Sequence, residues 1–254
     1  MTVVGLLHPG EMGAAVASAL RERGETVLWA SAGRSAATAE RARQAGLEDA
    51  GDLAELCRRC ELVLSVCPPH AAVDVARAAS GCTGIYVDAN AISPETARAV
   101  AAVHGRFVDG GIVGPPPYEA GTTRLYLSGE EADEVAALFA GTNVDARVIS
   151  DVPGTASALK LAYAGWTKGS AALLLAVGAL ARAEGVEDVL LAEWRLSQPQ
   201  LEERSEAAGR SALRKGWRWI GEMEEIARSM SARDLPAGFH EAAAEIFRGA
   251  AGEP

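Results

Sequence analysis

At 254 residues with 49% hydrophobic content, the chain is long enough for a sizeable core and near the size at which one core divides into two. A formal net charge of −10 argues against a surface built to collect phosphate backbones, because nucleic-acid binding draws its affinity from clustered cations; a small-molecule partner is expected, and no nucleic acid. The start MTVVGLLHPG lacks a basic segment ahead of a long apolar run, and the apolar stretch Ala171–Leu180 is short for a bilayer, so neither secretion nor a membrane partner is predicted. Cys57, Cys60, Cys67 and Cys82 fall mostly in segments that read as helix or strand, which suits a reduced, cytoplasmic protein. Cys57 and Cys60 have CxxC spacing, but no second pair follows at zinc-ligand distance, so no metal is expected.

In chain order, short β-branched runs at Val3–Leu7, Thr26–Ala30, Leu62–Val66, Ile85–Asp88 and Arg106–Ile112 alternate with alanine-rich helical stretches, the pattern of βαβ units and a mostly parallel sheet. Two more strands, Arg124–Ser128 and Asp145–Ile149, flank a helix over Glu130–Phe139. After Pro153, a residue suited to the first turn of a helix, no strand is predicted. A long interdomain helix should run to about Ala183, followed by helices at Val186–Leu196, Pro199–Ala208, Ser211–Met230 and Pro236–Arg248. The expected division is a dinucleotide-binding domain over 1–152 and an all-helical substrate and dimerisation domain over 153–254.

The segment VVGLLHPGEMGAAVASAL places a strand, a tight turn and a small-residue helix in the order a pyrophosphate requires, with free amides and a positive dipole end at the helix start. In the GxGxxG fingerprint of the Rossmann-type doubly wound fold, the second glycine admits the pyrophosphate and the third lets helix and strand approach. These are Gly10 and Gly13, while His8 takes the first position. His8, Pro9, Gly10, Glu11, Met12 and Gly13 are therefore candidate cofactor contacts, with His8 a turn residue beside the cofactor rather than a proton donor. At the end of the second strand, WASAGRSAA offers Ser31, Arg34 and Ser35 and no acid before Glu40. Hydroxyls and arginine there suit a 2′-phosphate, so NADP (NADPH) is the expected cofactor.

These residues, together with SVCPPHAA, DANAISPETA, VDGGIVGPPP and SALKLAYAGWTKG, resemble the 6-phosphogluconate dehydrogenase and 3-hydroxyisobutyrate dehydrogenase superfamily, to which the imine reductases also belong. The resemblance covers nearly the whole chain. The ending WRWIGEMEEIA with LPAGFHEAAAEI is similar to a subgroup carrying a C-terminal helical domain of unknown function. The resemblance implies that Cys67, Pro68 and Pro69 pack under the nicotinamide ribose and that Gly110, Gly111, Ile112, Val113 and Gly114 form a substrate loop. Asn90 follows another strand end, where open α/β sheets bind their ligands, and could hydrogen-bond the ribose or carboxamide or simply cap its own loop. The resemblance also implies a catalytic role for Lys160, one of three lysines with Lys168 and Lys215. An ammonium can give a proton to a carbonyl oxygen as hydride arrives and take one back in reverse, which arginine cannot do. Lys168 reads as structural or solvent-facing.

Departures limit what is inherited. The superfamily's asparagine four residues after the lysine is Ala164, its substrate-binding serine is Val113, and its serine-threonine pair is Asn90 and Ala91. Tyr163 and Trp166 could line a more apolar pocket or serve as core aromatics. Superfamily dimers close the cleft with the neighbour's helical domain, so His240, Trp217 and Trp219 could reach substrate across a homodimer interface or fill the helical core. The glutamates of EMEEIA read as solvated. The function expected is hydride transfer between NADPH and a small carbonyl or hydroxyl compound by an oxidoreductase of the β-hydroxyacid dehydrogenase type. The alternatives are imine reduction in the same cleft and a dinucleotide sensor without turnover.

Overall fold

The computed structural model describes residues 1–250, and the chain divides into two compact units, Met1–Lys160 and the part from Leu161 onward. The first unit runs β1 (Val3–Leu6), α1 (Glu11–Glu22), β2 (Thr26–Trp29), α2 (Ala36–Gln44), β3 (Glu48–Asp49), α3 (Leu53–Arg59) and β4 (Leu62–Ser65). A 3-10 turn, Pro69–Ala71, leads into α4 (Ala72–Ala78), then come β5 (Ile85–Asp88), α5 (Pro94–Ala101), β6 (Phe107–Val113), β7 (Thr123–Ser128), α6 (Ala132–Ala137) and β8 (Val144–Ser150). The strands form one sheet in the order β3-β2-β1-β4-β5-β6-β7-β8. Every pairing is parallel except β6 with β7.

Alternation along the strands builds two cores, one on each face. Val4, Leu6, Leu62, Leu64, Ile85 and Val87 pack with Val16, Leu20 and Ala42 from α1 and α2 and with Val135 from α6. Leu28, Val63 and Tyr86 face the other way, onto Leu56, Ala76, Ala97 and Val100 from α3, α4 and α5. This is the doubly wound α/β arrangement. Three of its helices start on side-chain caps, with Ser35, Asp52 and Ser93 accepting from the amides of Thr38, Glu55 and Thr96, as expected for these residue types.

Two features of this unit differ from expectation. β3 carries no strand signal in the sequence because both of its residues are charged and exposed; it exists by parallel pairing with Leu28 and Trp29 at the sheet edge. The cysteines are not all reduced: Cys57 in α3 forms a disulfide with Cys82 before β5, while Cys60 and Cys67 are free thiols. The crossover from β4 to β5 returns residue 82 to the helix before β4, so the partner lies 25 residues away and CxxC spacing does not reveal it.

Helix α7 (Thr155–Ala183) starts in the first unit and continues into the second, followed by α8 (Glu187–Ser197), α9 (Leu201–Ser231) and α10 (Gly238–Ala250). α9 is one helix of 31 residues, not the two expected around Gly209. A helical glycine costs about 1 kcal/mol relative to alanine, and burial of Ala208 and Ala212 on either side offsets it. The core of this unit joins Leu161, Ala164 and Ala172 of α7 to Met223 and Ile226 of α9 and to Ala243, Ala244 and Phe247 of α10. Trp219 meets Phe247 edge to face at 5.1 Å.

By length and composition α7 could cross a membrane, with a mean hydropathy of 1.3 in its most apolar window. The apolar stretch Ala171–Leu180 is only part of this helix, which also runs through Lys160 and Lys168. A core or interface helix passes the same test, and 22% of that window is buried.

Candidate active site

The turn between β1 and α1 has the features a dinucleotide needs. α1 starts after Gly10 with no side chain capping its first amides, which leaves them available to an anion. A Cβ on Gly13 would stand 2.5 Å from the His8 carbonyl oxygen, so only glycine fits, whereas a Cβ on Gly10 would meet nothing within 4 Å. Those are the close-approach and ligand-clearance roles of the third and second glycines. His8 can replace the first glycine because its φ is not positive. Its Nδ1 is buried without a hydrogen-bond partner. Burial, reinforced by the nearby charge of Arg34, lowers its pKa to about 4, so the imidazole is neutral at pH 7. Met12 packs on the core, while Glu11 is exposed at the helix start.

Beyond β2, Arg34 is exposed and its Nη2 donates to the Leu7 carbonyl at 3.2 Å. Ser35 caps α2 and shares a 3.1 Å hydrogen bond with the Thr38 hydroxyl; Ser31 Oγ lies 3.5 Å from the Gly51 carbonyl. Two neighbours carry no signal for this site in the sequence. Arg41 donates from Nε to the Pro9 carbonyl at 3.1 Å and from Nη2 to Thr38 Oγ1 at 3.3 Å; it sits on α2, past the strand end where cofactor selectivity is usually sought. Asp49 of β3 is in hydrogen-bond contact with Ser31, its pKa lowered chiefly by the Gly51 amide.

At the ends of β4 and β5, Cys67, Pro68 and Pro69 form a turn fastened by Asn90. The Asn90 side chain is 2% exposed. Its Nδ2 donates to Asp88 Oδ2 at 2.9 Å and Ser65 Oγ at 3.2 Å, and its Oδ1 accepts the Cys67 amide. Its amide thus holds the Cys67 turn within the protein, the loop-capping one of the two roles expected of it. Burial raises Asp88 to about 7 against the Asn90 donors. Burial likewise pushes the Cys67 thiol up to about 12, so it stays protonated and is no nucleophile.

Lys160 is set by a polar anchor under the start of α7. The Asp109 carboxylate, in β6, accepts the amides of Gly154 at 3.0 Å and Ser157 at 2.9 Å and the hydroxyls of Ser157 at 2.5 Å and Ser128 at 3.0 Å. Ser128 Oγ in turn accepts the Ala156 amide at 3.0 Å. Three of the unpaired amides at the helix start are thereby satisfied. Burial raises the Asp109 pKa, opposed by these donors. A Cβ on Gly111 would lie 2.8 Å from the Ala156 oxygen and 3.0 Å from Lys160 Cβ, so this glycine is what lets α7 rest on the strand. From that seat Lys160 Nζ donates to the Ile112 carbonyl at 2.7 Å. The expected substrate loop over Gly110–Gly114 needs correction: antiparallel pairing with β7 carries β6 through Val113, all buried, and only Gly114, at φ 119°, lies in the turn.

In the second unit, Tyr163 and Trp166 of α7 are exposed, Trp166 by 68%. His240 is 5% exposed and packed on a glycine face of α7, its Nε2 3.4 Å from the Gly165 oxygen. Cβ atoms on Gly165 and Gly169 would stand 3.2 and 3.5 Å from that nitrogen, so within this unit His240 is a packing residue. Lys168 pairs with Glu222, with its ammonium 5.9 Å from the centre of the Trp219 ring, which is the structural role expected. Trp219 fills the core and Trp217 is exposed. Of the EMEEIA glutamates, Glu225 is buried and paired with Arg228, not solvated. Among the described residues no group of three or more His, Cys, Asp or Glu could hold a metal.

Residues 1–138 match the model of the NAD binding domain of 6-phosphogluconate dehydrogenase. The chain belongs to this family. It is an NAD(P)-dependent oxidoreductase of the β-hydroxyacid dehydrogenase type, and residues 181–250 match a domain of unknown function. An uncharacterized 28.5 kDa protein of Methanothermus fervidus is 30% identical over 191 residues, 74% of either chain. A solved conserved protein of unknown function, described as structurally similar to 3-hydroxyacid dehydrogenases, is 30% identical, with a TM-score of 0.73 over 98% of this chain and 96% of that one. In fold alone, the chain is similar to Mycobacterium tuberculosis 3-hydroxyisobutyrate dehydrogenase solved with L-serine (15% identity, TM-score 0.75, 98% and 93% covered). The same holds for an Aspergillus terreus reductive aminase solved with NADPH (22% identity, TM-score 0.60, 98% and 93% covered).

Proposed function

We propose that the protein transfers hydride between NADPH and a small carbonyl or hydroxyl compound, with Lys160 as general acid and base. The observation that carries this reading is the Lys160 ammonium held 2.7 Å from the Ile112 carbonyl on a helix start anchored by Asp109. Residues fit for the cofactor are the α1 amides with Gly10 and Gly13 for the pyrophosphate, Arg34 with Ser31 and Ser35 for the 2′-phosphate, and the Cys67–Pro69 turn for the nicotinamide ribose. Bound nicotinamide supplies or accepts the hydride. Lys160 gives a proton to the substrate oxygen in reduction and takes it back in oxidation, while the Ile112 carbonyl keeps the amine oriented. The test is NADPH consumption against a panel of aldehydes, keto acids and cyclic imines. Cyclic imines as the preferred substrates would favour the second reading, imine reduction. Ala164 and the buried Val113 support that reading, because neither can grip a substrate carboxylate.

The cofactor reading predicts that NADPH binds about tenfold to a hundredfold more tightly than NADH, the worth of one charge-assisted contact to the 2′-phosphate. Arg34→Ala should erase most of that difference in a fluorescence titration, and equal affinities in the unaltered protein would refute it.

A homodimer is the second part of the proposal. Leu159, Tyr163, Trp166, Leu173 and Leu180 of α7 are exposed at spacings of three, four and seven, the period of a helix-packing seam. Light scattering should give twice 26.3 kDa at micromolar concentration. Leu173→Glu should shift the protein toward monomer, and a monomer in the unaltered chain would count against the seam.

A further inference from the structure

Most arginines in the first unit pair with carboxylates, as Arg43 does with Glu40 and Arg59 with Glu48. Arg34 and Arg41 form no ion pair among the described residues. Both guanidiniums instead rest on main-chain carbonyls that flank His8, Arg34 on Leu7 and Arg41 on Pro9. Arg41 also holds the Thr38 hydroxyl, which in turn bonds the Ser35 hydroxyl next to Arg34. The result is two cations and a chain of hydroxyls on the α2 side of the phosphate-binding turn, in a protein of net charge −10.

We propose that Arg41 is a second specificity-determining cation for the adenosine 2′-phosphate, acting with Arg34. This rests on the NADP reading above. A phosphate monoester carries about −1.5 to −2 charge at pH 7, so one guanidinium does not balance it, and Asp49 beside Ser31 adds to the deficit. His8 lies between the two carbonyls but is neutral and supplies no charge. Arg41 is the remaining cation hydrogen-bonded to this turn. Its bond to Thr38 places it with the hydroxyls of α2, whereas the pyrophosphate is expected at the α1 amides.

The test uses Arg41→Gln, which keeps an N–H donor where Nε bonds the Pro9 carbonyl but removes the charge and the reach to Thr38. Binding of NADPH, NADH, 2′,5′-ADP and 5′-AMP is measured for both proteins. The variant should bind NADPH and 2′,5′-ADP about tenfold more weakly and leave NADH and 5′-AMP within about twofold. Equal weakening of all four would place Arg41 at a phosphate common to both cofactors and overturn the assignment. Unchanged affinities would make Arg41 only a clasp on the turn. If the unaltered protein itself fails to prefer NADPH, the NADP reading falls and this assignment with it; if it prefers NADPH and the variant keeps the full preference, only the Arg41 assignment falls.

Discussion

Lys160→Ala should lower turnover about 10²- to 10⁴-fold, the usual worth of a positioned general acid or base, while leaving NADPH affinity nearly unchanged. The two effects separate because the lysine is held over β6 by the Ile112 carbonyl, whereas the pyrophosphate turn belongs to β1 and α1. Lys160→Arg should fail almost as badly, since a guanidinium keeps the charge but does not release its proton near neutral pH. The measurement is single-turnover hydride transfer on the best substrate of the panel, beside an NADPH titration of each variant. An alanine variant with full turnover would remove Lys160 from the chemistry and move imine reduction ahead, because an iminium substrate arrives already protonated. A thermal melt guards against a folding defect: both variants should melt near the parent, as the Lys160 side chain is only partly buried.

Asp109→Ala should be the most damaging substitution for stability. The carboxylate accepts four donors, all buried, from Ser128, Gly154 and Ser157. Leaving a buried donor without a partner costs about 1–3 kcal/mol, so even if water reaches half of the four the loss in urea denaturation should be about 2–6 kcal/mol. The damage should reach catalysis too. The start of α7 would no longer be fastened to β6, so Lys160 would lose its alignment and turnover should fall more than NADPH affinity. Asp109→Asn keeps the shape and one good acceptor and should recover part of both. Wild-type stability in the alanine variant would mean that the helix start needs no anchor and that Lys160 is positioned by its own contacts.

The elements that sequence reading located are those whose signal is local. The apolar runs at Val3–Leu7 and Leu62–Val66 mark strands because a strand buried on both faces needs apolar side chains on each, and β5 matches its expected bounds residue for residue. Gly13 reads as the close-approach glycine of the turn, and a Cβ there would stand 2.5 Å from the His8 carbonyl oxygen. The features that were missed depend on distant chain. Asp109 reads as a strand residue in VDGG, yet its carboxylate serves a helix that starts more than forty residues later in the sequence. Asn90 reads equally as a cofactor contact or a loop cap, and only the approach of Ser65, Cys67 and Asp88 shows that it holds the loop. Arg41 lies within an ordinary amphipathic helix, and nothing in its neighbours along the chain shows that its guanidinium returns to Pro9. Gly209 reads as a helix breaker because its cost is local, while the burial of Ala208 and Ala212 that offsets it is tertiary.

Transfer of label from stereospecifically deuterated NADPH tests the central claim most directly. With a carbonyl substrate from the panel, deuterium from one face of the nicotinamide should appear on the reduced carbon of the product, at a rate that collapses in Lys160→Ala. Tight NADPH binding with no label transferred to any member of the panel would contradict the account and leave a dinucleotide sensor as the reading that fits.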